Sequence, residues 1–266
     1  MTGEAAVRLN KYSEVRESIY GKHVRSSDML LTGLIYGCTA VSLLILVGIL
    51  GYTFVRGIPH VTWSFLSTAS SAVKGTFGIL GNIINTIYIV VITLLIATPI
   101  GVGSAVYLNE YAKPGKIVRM IEFTTETLSG IPSIIFGLFG MVFFGNTIGL
   151  GYSILTGSLT LTLMILPLIT RTTQEALKTV PDSYRHGALG IGATKWYMIR
   201  TILLPSAMPG IVTGVILAIG RIVGESAALL FTAGSGYYLP KNILGKIFES
   251  GGTLTIQLYL FMQKAK

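Results

Sequence analysis

The 266 residues are 51% hydrophobic and only 12% charged, include 32 glycines and carry a formal charge of +9. With a mean hydropathy of +0.70, this composition excludes a soluble domain. It calls for stretches of roughly 20 apolar residues, the length that crosses a hydrocarbon core about 30 Å thick. The basic residues lie between the apolar stretches, where the positive-inside rule accounts for them, so nucleic-acid binding is not expected. Cys38 is the single cysteine, and His23, His60 and His186 fall in three separate segments. No disulfide, redox pair or metal-ligand spacing follows from them.

In chain order, residues 1–28 form a polar segment expected to stay in the cytoplasm, and 29–266 a transmembrane domain. The first span, Met29 to Val55, lacks an A-x-A-like cleavage site and should remain as an anchor. Residues 56–82 suit an outer interfacial segment, with Trp63 at headgroup level. The second span runs from Ile83 to about Leu108, with Pro99, Gly101 and Gly103 near its inner end allowing a kink or a close helix approach. A turn at Asn109-Glu110-Tyr111 and Pro114-Gly115 follows, among Lys113, Lys116 and Arg119. Glu122 and Glu126, one helical turn apart, read as an inner-surface charged face rather than an acid–base pair.

Thr127 to Thr170 carries no charge, too long for one span and right for two joined at Gly145-Asn146 and Gly149-Leu150-Gly151. The third begins in Leu128-Ser129-Gly130-Ile131-Pro132-Ser133, where Pro and small residues weaken the helix. The fourth ends at Arg171, and the fifth runs from about Met208 to Leu230. Segments assigned to the inside hold five, three and five basic residues, against two, none and two outside. That asymmetry predicts a cytoplasmic N-terminus in a multi-pass membrane protein. The apolar run Leu258–Met262 before Lys266 is too short to cross.

Residues 171–205 are the long polar interruption of the second half. Pro181 and Asp182 open a short helix reaching about Leu189, because Pro fits a first turn and Asp satisfies free amides there. Gly190 and Gly192 supply a sharp turn. Thr194 caps a second helix carrying Trp196, Ile199, Ile202 and Leu203, which Pro205 is expected to interrupt. Two short helices at an angle make a knob suited to a groove on a partner, or else a solvated loop. His186-Gly187-Ala188, three residues, Gly192, nine residues and Ile202-Leu203-Leu204-Pro205 reproduce the spacing of the EAA loop of ABC importer permeases.

Arg221 and Glu225 are the charged pair inside a span, four apart and so expected on one helix face. A charge near the bilayer centre costs about 2.5–3.5 kcal/mol, so they should face protein or a water-filled path. Arginine offers a fork of donors for phosphate or carboxylate oxygens; the alternative is an ion pair that pins two helices. Arg171, at the end of the fourth span, suits the helix dipole in any protein. No phosphate loop, Ser/His/Asp set or H-E-x-x-H occurs, so the chain is not an enzyme. Any ATP must be hydrolysed by another chain.

Leu128 to Gly137 (LSGIPSIIFG), Arg171 to Leu177, the EAA-type loop and Ile219 to Ala233 together resemble the PstA-type permease subunit of bacterial phosphate ABC importers, over nearly everything after the first span. The resemblance implies an all-α, polytopic type I ABC importer permease fold, with five spans present and the sixth missing. It implies a PstC-type permease partner, two PstB-type ATPase subunits holding ATP and Mg, a PstS-type extracytoplasmic binding protein, inorganic phosphate as substrate and membrane lipid around the chain. The chain itself binds no cofactor and no metal. Arg171, Arg221 and Glu225 match positions of the substrate path. Tyr184, Arg185, His186, Gly187, Ala188, Gly192, Ile202, Leu204 and Pro205 match the ATPase-coupling element. Two departures stand out: His186-Gly187 replaces the usual Glu-Ala, and the family's sixth span is not completed. The nearest alternatives are a permease for another oxyanion such as sulfate or molybdate, or the PstC-type partner itself. A membrane enzyme acting on a phosphorylated lipid, or a purely structural subunit, stands further off.

Overall fold

The computed structural model describes residues 26–71, 76–113, 115–238, 242 and 245–264, so most of the expected cytoplasmic segment lies outside the described residues. The chain divides into two compact units at Thr62/Trp63. In the first, helix α1 (Ser26–Gly57) is apolar on every side and exposed from Ser27 to Arg56. Its 32 residues reach about 48 Å, enough to cross a bilayer with tilt. Asp28 in its first turn and Arg56 in its last complement the helix dipole. A 3-10 turn, Ile58–His60, closes the unit.

The second unit opens with a short helix, α2 (Trp63–Ser67), and an antiparallel hairpin of β1 (Ala69–Ser71) and β2 (Thr76–Ile79). The hairpin was not evident from the interfacial composition of this stretch. Trp63 is 82% exposed, as an aromatic anchor at a membrane surface would be. Helix α3 (Leu80–Val106) contains Pro99 without a break and runs on through a π-helical turn, Tyr107–Tyr111. Helix α4 (Lys116–Ser129) precedes α5 (Ser133–Gly140), which ends in a π-helical stretch, Met141–Thr147. Then come α6 (Ile154–Lys178), α7 (Asp182–Gly190) and α8 (Lys195–Met198). Through the π-helical turn Ile199–Leu203, α8 passes into α9 (Leu204–Gly224). Helix α10 (Ala227–Thr232), a 3-10 turn (Gly245–Phe248) and α11 (Leu254–Lys264) complete the described chain.

Helices α3 and α9 pack against α6 around Ile89, Leu161, Ile165, Ile169, Ala218 and Ile222. Small residues bring the backbones together. A Cβ on Gly101 of α3 would stand 2.7 Å from Ile169 Cγ2, and one on Gly210 of α9 would stand 2.5 Å from Ala176 Cβ. Likewise Gly137 of α5 leaves room for the backbone of α10, where a Cβ would meet Ala228 Cα at 2.7 Å. A second core at the α7 end gathers Val106, Leu177, Val180, Ala188, Met198, Ile199, Leu203 and Ala207.

Four helical stretches are long and apolar enough to span: Ser27–His60, Leu80–Tyr111, Ile154–Lys178 and Lys195–Gly224. The pair α4 and α5, bent by 100° at Gly130-Ile131-Pro132, makes a fifth if counted as one broken span. Three boundaries differ from the sequence reading. The fourth span passes Arg171 and ends at Lys178. Pro205 does not interrupt the second loop helix, because the π-helical turn Ile199–Leu203 just ahead of it accommodates the ring and the chain runs on into α9. The fifth span ends at Gly224, not Leu230. Helix α11, at 11 residues, is shorter than a span, with Ile256 fully buried in the main core.

Candidate functional site

The sequence-predicted site residues fall into two groups, one at the α7 end and one along α6 and α9. The α7 end takes its shape from local rules. Asp182 stands in the first turn of α7. Gly192, at φ +86°, turns the chain in a conformation other residues rarely adopt. Thr194 Oγ1 accepts from the Tyr197 amide at 3.3 Å and caps α8.

The sequence-predicted coupling residues fall into three roles. Tyr184, His186, Gly187 and Gly192 are exposed, beside Ile191, which is 86% exposed, and Trp196, 61% exposed. These apolar side chains are held out from an otherwise polar loop. Ala188 is buried beneath it. Ile202 and Leu204, half-buried, and Pro205, exposed, lie at the root of α9 rather than in the knob.

Arg185 turns inward instead. Its Nη2 donates to Glu110 Oε1 at 2.9 Å and to the Leu177 carbonyl at 3.0 Å, while Nη1 donates to the Val180 carbonyl at 2.8 Å and to Asp182 Oδ1 at 3.1 Å. The guanidinium thus adds bonds to carbonyls where α6 ends and fastens α7 to the end of α3. Glu110, whose side chain is 5% exposed, also accepts from Asn109 Nδ2 at 2.7 Å. The hydrogen bond with Glu110 is the main cause that pushes the Arg185 pKa above its ordinary value. Sequence reasoning placed Glu110 only in a turn. Its one signal was an acidic residue closing an apolar span, with no local partner.

Along α9, Gly210 faces Ala176 and Gly214 faces Thr172, so α9 runs antiparallel to α6. Continuing that register sets Arg221 level with Ile165, near the middle of α6, and Arg171 level with Val215. The two arginines stand about 9 Å apart along the bundle axis, with Arg171 nearer the α7 end. Arg171 is held by Glu126 at 3.4 Å and Glu175 at 3.2 Å. Arg221 is exposed and makes no hydrogen bond or ion pair among the described residues. On either side of it, Gly220 and Gly224 meet nothing within 4 Å of where a Cβ would stand.

Glu225 is not on Arg221's helix face. Its φ of −78° and ψ of 128° take the chain out of the helix, and its Oε1 accepts from the Ala228 amide at 3.1 Å at the start of α10. Its carbonyl accepts from Thr255 Oγ1 at 2.8 Å. The four-residue spacing therefore does not produce the expected pair. Gly224, which ends the helix, separates them.

Residues 97–262 match the family described as "Binding-protein-dependent transport system inner membrane component". The chain belongs to this family. It is accordingly a multi-pass inner-membrane permease subunit of an ABC importer, without a catalytic site of its own, serving a system with ATPase and binding-protein partners. Among its relatives, "Probable ABC transporter permease protein YqgI" of Bacillus subtilis is 43% identical over 208 residues, 78% of this chain and 71% of the relative. "Phosphate transport system permease protein PstA" of Haemophilus influenzae is 35% identical over 219 residues, 82% of this permease and 77% of the relative. A solved structure titled "Inward facing conformations of the MetNI methionine ABC transporter: CY5 native crystal form" aligns at a TM-score of 0.49 with 22% identity, covering 71% of this chain and 87% of that one.

Proposed function

We propose that this permease is the PstA-like subunit of an ATP-driven phosphate importer, supplying half of the translocation path. The observation that carries the reading is Arg221: a guanidinium at mid-depth of the bundle, on an exposed face of α9, with no partner among the described residues and bare glycine backbone beside it. An arginine so placed in a membrane must meet water, an anion or a partner subunit, and its fork of donors matches phosphate oxygens. The relatives named for phosphate transport support that anion. Arg171, loosely held by two exposed carboxylates, offers a second basic stop toward the cytoplasm, and Glu225 fixes the end of α9 beside Arg221.

In this reading a PstC-type permease completes the path, and a PstS-type binding protein delivers inorganic phosphate from outside. Two PstB-type ATPases hold ATP and Mg, one of them against Tyr184, His186, Ile191 and Trp196. The N-terminus and the α7 end are cytoplasmic. The test is uptake of labelled phosphate into vesicles containing the whole complex. Arg221→Gln should abolish uptake while leaving complex yield and ATPase retention unchanged. Uptake at the unaltered rate in that variant would overturn the assignment.

A further inference from the structure

Helix α4 has no buried residue, and its axis turns by 100° from that of α5 at Gly130-Ile131-Pro132. With α5 standing across the bilayer, α4 lies close to the plane of the membrane. What surrounds it divides in the same way. On one side is a cleft of about 470 Å³, where Ile121 and Leu128 of α4 join Ile100, Leu163 and Leu166 in an almost wholly apolar lining. On the other side, toward the α7 end, is a polar cleft of about 260 Å³, where Glu122 and Glu126 join Arg171, Glu175 and Lys178. Along α6 the lining changes between Thr170 and Arg171, the point at which the charge-free run from Thr127 ends. Helix α4 therefore crosses at the level where apolar surroundings give way to water.

The stripe of α4 turned away from both clefts is apolar. Ile117, Met120 and Phe123 are all exposed, and at three-residue spacing they fall within about 120° of the helix circumference. Lys116 and Arg119 border this stripe, and Lys113 stands just ahead of the helix. All three cations are exposed and form no ion pair among the described residues. The carboxylates of the same helix, Glu122 and Glu126, line the polar cleft instead. An apolar stripe edged by cations, with the acids turned aside, is complementary to a surface of anionic phospholipid.

We propose that α4 is an interfacial helix of the inner leaflet, with Ile117, Met120 and Phe123 among the upper acyl carbons and Lys113, Lys116 and Arg119 on anionic headgroups. The bilayer surface thereby positions the helix that carries Glu126, one of the two carboxylates holding Arg171. The polar cleft, on the other face, stays open to a passing anion.

The test uses the complete transporter, with Cys38→Ser and no other cysteine, in bilayer discs of equal parts phosphatidylglycerol and phosphatidylcholine. Spin labels attached singly at Ile117→Cys, Met120→Cys and Phe123→Cys report depth by collision with oxygen, which concentrates in hydrocarbon, and with a nickel chelate, which stays in water. All three should lie at one shallow depth, and a label at Glu122→Cys should lie in water. A depth that grows by about 9 Å from Ile117 to Phe123 would mean that α4 crosses the membrane, and would overturn the proposal. Labels reached by nickel as readily as the one at Glu122 would mean a solvated helix, and labels reached by neither reagent a helix covered by another subunit; either result would overturn it too. A photoreactive benzoylphenylalanine in place of Phe123 should capture phosphatidylglycerol several times more often than phosphatidylcholine, and the triple change Lys113→Gln, Lys116→Gln and Arg119→Gln should bring the two to parity. Equal capture by the unaltered cations would overturn the anionic partner.

Discussion

Arg185 and Glu110 meet across 75 residues of sequence, with Nη2 2.9 Å from Oε1, and their bond joins α7 to the turn that closes the second span. Both side chains are largely withdrawn from water, at 16% and 5% exposure, so each needs the other. The hydrogen bond with Glu110 holds the arginine's pKa above its ordinary value. A raised value in a cation means that its contribution to stability is complete below the unfolded pKa and is lost only as pH climbs through the folded one. At working pH the arginine keeps its charge.

Removing Glu110 takes away the arginine's buried carboxylate but leaves it Asp182 and the Val180 and Leu177 carbonyls. Glu110→Ala should therefore destabilise the α7 end by about 2 kcal/mol, the loss of a charged hydrogen bond. The double change Glu110→Leu with Arg185→Met should recover most of it. Thermal unfolding of the purified complex in detergent measures both, and equal losses in the single and double variants would contradict the brace.

Gly192→Val tests the turn. Nothing stands within 4 Å of the added Cβ, so the cost comes from φ +86° alone; a β-branched residue is a strong outlier there and Asn a mild one. Valine should cost about 1–2 kcal/mol locally and sharply reduce ATPase retention in a pull-down, while Gly192→Asn keeps most of it. Equal retention by the two variants would show that the shape of this turn does not govern how the ATPase is held.

Glu225 should behave as a cap. Glu225→Ala loses the bond to the Ala228 amide and should destabilise by about 1 kcal/mol, seen as a lower midpoint of thermal unfolding. Glu225→Gln, which keeps an acceptor oxygen, should lose less. A pairing role with Arg221 would instead make glutamine as damaging as alanine.

Arg221→Leu should separate folding from transport. Replacing arginine by leucine at mid-span makes membrane insertion easier by about 3 kcal/mol on insertion scales, so yield should hold or rise while phosphate uptake is lost. A fall in yield matching the fall in uptake would mean that Arg221 holds the assembly together.

Much of this was legible because it depends on near neighbours. The turn glycines at 149, 151 and 192 take positive φ, and the Thr194 cap forms as its position implied. The spacing from His186 to Pro205 pointed to the knob and to the family. What failed depended on distance or on where a helix stops. Arg185's partner lies on another span, beyond any local signal. Glu225 was taken with Arg221 because four residues share a helix face, yet Gly224 followed by a Glu-Ser pair is itself a sign of an ending and a new start. Charge counting could not foresee that the third span bends by 100°, because composition records which segments are apolar, not their direction.

From Lys195 to Gly224 the chain is one helical stretch of 30 residues, with the π-helical turn Ile199–Leu203 inside it, so Trp196 of the knob and Arg221 stand on the same stretch. With a rise of about 1.5 Å per residue, Arg221 stands about 39 Å from the Lys195 end, and a tilt of about 10° at that end swings it by about 7 Å. Because Gly210 and Gly214 seat α9 directly on Ala176 and Thr172 of α6, such a tilt would carry α6, and Arg171 on it, along with Arg221.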